Sequence, residues 1–119
     1  MSRNRIAFVA ALVVAFVIVA GFVIYENQGG GGKNVRFDVT VTHTDTMKPS
    51  ELPVHQNDTV TINITSDTSG EVHLHGYDKH FECVAGQTVS QTFTADKTGT
   101  FDIEWESTSA GLGQFVVNP

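Results

Sequence analysis

The chain has 119 residues, a formal charge of −6 and a single cysteine. That length holds one small domain plus an anchor. The lone Cys83 excludes an intrachain disulfide and any Cys-x-x-Cys pair, and an acidic chain without a basic stripe speaks against nucleic acid as a partner.

The first element is apolar. Ile6 to Ile24 is a run of 19 residues without a charge, which as a helix spans about 28 Å, close to a bilayer's hydrocarbon core. Arg3 and Arg5 precede it and Glu26 follows. The positive-inside rule then leaves residues 1–5 in the cytoplasm, residues 6–25 as a transmembrane signal anchor, and everything after Tyr25 on the periplasmic or extracellular side of the cell membrane. A cleaved signal peptide ending near Ile18-Val19-Ala20 is the competing reading; signal cores are usually shorter than this run. Residues 26–33 carry four consecutive glycines and read as a flexible linker.

From residue 34 the hydrophobic period changes to two, the signature of half-buried strands. Counted from Lys33, the domain has five Lys/Arg against twelve Asp/Glu, 5 − 12 = −7. Val35, Phe37, Val39 and Val41 define a first strand. Met47 to Val54 contains Pro49 and Pro53 and reads as an edge segment or loop, because proline cannot donate to a sheet ladder. Gln56-Asn57-Asp58 is a turn, and Thr59 to Thr65 is a strand with Val60, Ile62 and Ile64 on one face. Ser66 to Gly70 turns again.

Val72 to Tyr77 is the stretch that carries candidate chemistry. Val72 and Leu74 fall on one face, and His73, His75 and Tyr77 on the other. Thr88 to Thr94 follows a turn at Ala85-Gly86. Thr100 to Glu106 places Phe101, Ile103 and Trp105 inward and Asp102, Glu104 and Glu106 outward. Ser107 to Gly113 reads as a loop and Gln114 to Val117 as the last strand. Short strands at this spacing predict an all-β sandwich over residues 34–119, with the phenylalanines and Trp105 supplying much of the core.

Imidazoles two residues apart on one strand lie close enough to share an ion, and neutral imidazole suits copper or zinc. His73 and His75 are the candidate ligands, with Asp78, His80 and Cys83 as supplementary donors. A hydrogen-bonded structural pair is the other reading of the two histidines. For Cys83 it is a small buried hydrophobe, since a strand running on past Tyr77 would carry the thiol far from His75. His43, His55 and Met47 read as loop or strand-end residues. Asp102, Glu104 and Glu106 read as a solvated strand face. No Ser/His/Asp motif, phosphate loop or His-Glu-x-x-His sequence supports an enzyme.

The order of these segments resembles the cupredoxins, a family of Greek-key β-sandwiches. It rests on Met47-Lys-Pro-Ser-Glu-Leu-Pro-Val, Asn57-Asp-Thr-Val-Thr-Ile, Glu71-Val-His-Leu-His-Gly-Tyr-Asp, Val84-Ala-Gly-Gln, Thr98-Gly-Thr-Phe-Asp-Ile-Glu and Phe115-Val-Val. The resemblance implies a ligand at His75, then a cysteine, a histidine and a methionine on the last loop. Trp105 stands in the cysteine's place, Glu106-Ser-Thr-Ser-Ala-Gly has no histidine, and Leu112 stands where the methionine is expected. A blue-copper centre needs a thiolate and two imidazoles, so electron transfer of that kind is not expected. The expectation is a membrane-anchored, non-enzymatic, cupredoxin-like domain that handles copper or another transition metal through His73 and His75. The alternative is a metal-free interaction module supporting a membrane or envelope protein complex.

Overall fold

The computed structural model describes residues 32–119. The anchor expected over residues 6–25 and most of the linker lie outside the described residues. Among the described residues nine strands run in order: β1 Asn34–Thr42, β2 Thr46–Lys48, β3 Glu51–His55, β4 Thr59–Ser66, β5 Gly70–Leu74, β6 Lys79–Cys83, β7 Thr88–Thr94, β8 Gly99–Trp105 and β9 Ala110–Asn118. They form two sheets, β2-β1-β4-β7 and β3-β9-β8-β5-β6. The pairs β1–β4 and β3–β9 are parallel and the other pairs are antiparallel. Among the described residues there is no helix.

Alternation drives this architecture. The residues of β4 are alternately half-buried and buried, with Val60, Ile62 and Ile64 inward. Val35, Phe37, Val39 and Val41 face them from β1, while Leu52, Val54, Val72, Leu74, Phe81, Ile103, Trp105, Phe115 and Val117 line the second sheet. Each such side chain, once buried, contributes about 1.5–3 kcal/mol. The proline-bearing stretch supplies β2 and β3, each at the edge of its own sheet. Proline is tolerated there for want of a second ladder partner.

Buried Asp58 fixes one end of the sandwich. Its carboxylate accepts the backbone N–H of Lys33 at 3.0 Å and of His55 at 2.8 Å. Its carbonyl accepts Ala95 N–H at 2.9 Å. One side chain therefore ties the start of β1 to the β3–β4 turn, and its backbone holds the end of β7.

Three elements differ from the sequence reading. The strand that begins at Gly70 stops at Leu74, and residues 75–78 reverse the chain into β6, which the sequence reading had not separated. Tyr77 consequently points into the core, 9% exposed, rather than out beside His73 and His75. The last strand begins at Ala110, not Gln114, and is accommodated by a register shift against β8 at Ile103/Glu104. Glycine permits that early start. A Cβ on Gly113 would lie 2.3 Å from the Ser50 carbonyl oxygen, so only a residue without one lets β9 pass there.

Candidate metal centre

The turn at residues 75–78 organises the site. Gly76 has φ +84 and lies against Phe101, where a Cβ would meet the ring at 2.2 Å. Tyr77 then drops into an aromatic cluster with Phe93, Phe101 and Phe115 at centroid distances of 5.0–5.4 Å. Its hydroxyl donates to the Lys97 carbonyl and accepts the Lys97 N–H, both at 2.7 Å. Burial pushes the phenol's pKa up, the Lys97 backbone bond opposes that, and Asp96 adds to it. Asp78, at φ 53, completes the reversal.

The reversal brings distant side chains onto the outer face of the five-stranded sheet. His73 and His80 are register partners across β5 and β6, and His73 and Glu104 are partners across β5 and β8. The His73 and His80 rings stack 4.2 Å apart and 11° from parallel, and the His75 ring sits 4.3 Å from His73. Carboxylates surround the three rings. Glu106 lies 3.3 Å from His73 Nδ1, and Asp78 lies 3.6 Å from His73 Nε2 and 3.1 Å from His80 Nε2. Glu71 bonds His80 Nδ1, and Glu104 lies 3.1 Å from His75 Nε2.

These contacts polarise the exposed members. The Glu71 bond, followed by the Asp78 bond, holds the His80 imidazole above its ordinary pKa. The His80 bond, with help from its charge and from His73, holds the Asp78 carboxyl below its ordinary range.

Two nitrogens in the cluster remain unsatisfied. His73 Nε2 and His75 Nε2 are buried atoms with no hydrogen-bond partner. Asp78 is too far from the first, and Glu104, though near the second, is not angled to bond it. One nitrogen each from His73 and His80 and one oxygen from Glu106 lie within 4.8 Å of one another. The centre of such a triangle is at most about 2.8 Å from each corner. Metal–nitrogen bonds run about 2.0–2.1 Å, so a small side-chain rotation closes the set on an ion.

Cys83 takes no part. It pairs with Gly70 at the far end of the hairpin and is buried on the opposite side of the sheet, its Sγ 3.7 Å from the Phe81 carbonyl oxygen. Burial, and secondarily Glu82, pushes the thiol's pKa up. The supplementary donors brought to His73 are therefore Asp78 and His80. Glu71, Glu104 and Glu106, read from sequence as solvated residues or not singled out, border the imidazoles. The signal that could have found them is their shared parity: Glu71 is in phase with His73 on β5, and the outward acids Glu104, on β8, and Glu106, just past its end, are in phase with each other.

No family model and no curated protein matches the chain. Solved structures do. The copper-loaded metal-binding domain of the Cu(I)-exporting P-type ATPase of Streptococcus pneumoniae superposes with a TM-score of 0.64 at 9% identity, over 76% of this chain and 92% of that one. Auracyanin A, a blue copper protein of Chloroflexus aurantiacus, gives 0.54 at 20% identity over 71% and 99%. A chain of a heme-copper terminal oxidase dimer gives 0.60 at 14% identity over 98% and 99%. The fold is that of the cupredoxins.

A cupredoxin blue-copper centre does not fit these residues. Trp105 and Leu112 both point into the core. Trp105 packs on Gly70, where an added Cβ would meet the indole at 2.2 Å. His75 is not beside them: its N–H bonds the carbonyl of Asp102, three residues before Trp105, and its ring is on the outer face with His73. The thiolate, the second imidazole and the thioether that such a centre needs are not assembled at that end of the sandwich. The cupredoxin scaffold is present, and the imidazoles have been placed on its flank.

Proposed function

We propose that this chain is a membrane-anchored, extracytoplasmic cupredoxin-like domain that binds and handles copper without catalysis of its own. The metal would be held by His73 and His80 with Glu106, and with Asp78 and His75 at the margin. The observation that carries this reading is the buried His73 Nε2, left without a hydrogen-bond partner inside a ring of carboxylates and beside the His80 and Glu106 donors. A buried polar atom left unbonded costs about 1–3 kcal/mol, and an ion bonded to it would remove that cost. Nitrogen and oxygen donors suit copper and zinc, and copper stands highest in the affinity order of the divalent metals. The copper proteins among the structural neighbours favour the same metal. The apolar run from Ile6 to Ile24 supports an anchor over residues 6–25.

Titration of the full chain in detergent with Cu(II) and Zn(II), beside a His73→Ala variant, tests it. One-to-one binding that the variant loses while keeping its near-ultraviolet circular dichroism is the expected result. Binding unchanged in the variant, or none at all, overturns the assignment.

A second reading is favoured by one observation, the end-to-end match with a chain of a heme-copper terminal oxidase dimer. In that reading the domain is an interaction module of a membrane protein complex. A stoichiometric membrane partner retained by His73→Ala in metal-free buffer would support it.

A further inference from the structure

We infer that the His73–His80–Glu106 centre selects copper in the cupric state and discriminates against cuprous ion; this rests on the metal-binding reading above and names the ion's oxidation state. Three observations carry it.

The first is the donor set. The triangle offers two imidazole nitrogens and one carboxylate oxygen. Cuprous ion is soft and is selected by thiolate and thioether sulfur, whereas imidazole and carboxylate suit the divalent ion. The sulfurs among the described residues are those of Met47 and Cys83, and both are in the core. Neither reaches the outer face without unfolding a strand.

The second is charge. Glu71, Asp78, Glu104 and Glu106 all lie in direct contact with the three imidazoles. No lysine or arginine is paired to any of them in these contacts. Attraction to such a ring grows with the charge on the ion, so a doubly charged ion gains more than a singly charged one.

The third is shape. His73 and His80 stack with their planes nearly parallel, 11° apart. Two stacked rings place their nitrogens side by side, not on opposite sides of an ion. Cuprous ion held by two imidazoles favours a near-linear arrangement, and side-by-side donors with neighbouring carboxylates suit the tetragonal cupric geometry instead.

The test uses the full chain in detergent. Cu(II) affinity is measured by competition with glycine and its coordination by electron paramagnetic resonance. Cu(I) affinity is measured anaerobically by competition with bathocuproine disulfonate. The expected result is nitrogen hyperfine structure from bound Cu(II) and at least a hundredfold preference for it. At 59 mV per tenfold for one electron, that preference lowers the midpoint potential of bound copper by about 120 mV relative to the free couple. Glu106→Gln keeps the shape and removes one negative charge, so it should weaken Cu(II) at least tenfold more than Cu(I). Equal binding of the two ions, a preference for Cu(I), or an equal effect of Glu106→Gln on both overturns the inference while metal binding stands. No binding of either ion, with none of Zn(II), overturns the metal reading itself.

Discussion

His73 and His80 face each other across the β5–β6 hairpin as register partners, with their rings stacked at 4.2 Å. They stand seven positions apart in sequence, and the turn at 75–78 makes them neighbours. In the proposed centre the nitrogen donor that joins His73 is therefore His80, on the adjoining strand, in preference to His75. We expect His80→Ala to weaken Cu(II) binding at least tenfold, about 1.4 kcal/mol, and His75→Ala to weaken it less. Parallel competition titrations of the two variants check the order. The reverse order would move the centre toward Glu104.

Cys83 should be silent in the same assays. Its thiol is buried on the inner side of the sheet, and burial raises its pKa. Cys83→Ala is expected to leave metal affinity within twofold of the parent. In the native protein a thiol reagent should label Cys83 only at the rate of unfolding, since the thiolate is the reactive form. Fast labelling without denaturant would contradict this placement.

Tyr77 clamps the turn that builds the site. Tyr77→Phe removes both hydrogen bonds to the Lys97 backbone while keeping the ring. We expect a loss of about 1–2 kcal/mol in denaturant unfolding. The phenol's folded pKa lies above its ordinary value of 10.0. Above about pH 10 the unfolded chain then loses this proton while the folded chain keeps it, so stability falls as pH rises from there toward the folded pKa. Unfolding curves at pH 8 and pH 10.5 should show a smaller alkaline loss for Tyr77→Phe than for the parent.

Gly76 and Gly86 separate backbone strain from collision. Their φ angles are +84 and +83, but an added Cβ meets Phe101 at 2.2 Å in the first and nothing within 4 Å in the second. Gly86→Ala should cost about 1–2 kcal/mol, the left-handed backbone alone. Gly76→Ala should cost roughly 1–3 kcal/mol more, the range for overpacking a core. Paired denaturation curves measure the difference. Equal costs would mean that the Phe101 ring yields freely.

The fold was legible because its signal is local. Val60, Ile62 and Ile64 on β4, or Phe101, Ile103 and Trp105 on β8, announce their strand by alternation within a few residues. The site was only half legible, because its assembly is not local. His73 and Asp78 lie in one short stretch, but the contact of His73 with Glu106 depends on the register of β5 with β8, across a separation that no short window sees. The turn was obscured by its own chemistry. Tyr77 keeps the parity of His73 and His75 and so reads as the continuation of their strand, until Gly76 against Phe101 shows that the chain bends there. Trp105 and Leu112 were informative in the opposite sense, since side chains so large and apolar, at those two positions, already told against a thiolate centre.

The Asp58 carboxylate holds Lys33 where the domain begins. Lys33 thus sits at that end of the sandwich, beside the β3–β4 turn and the close of β7. The imidazoles lie along the side wall of the second sheet instead. Under the proposed anchoring and metal binding, the tether would leave from the end of the domain and the ion would sit on its side. A partner reaching the outer face of that sheet would then meet the histidines directly.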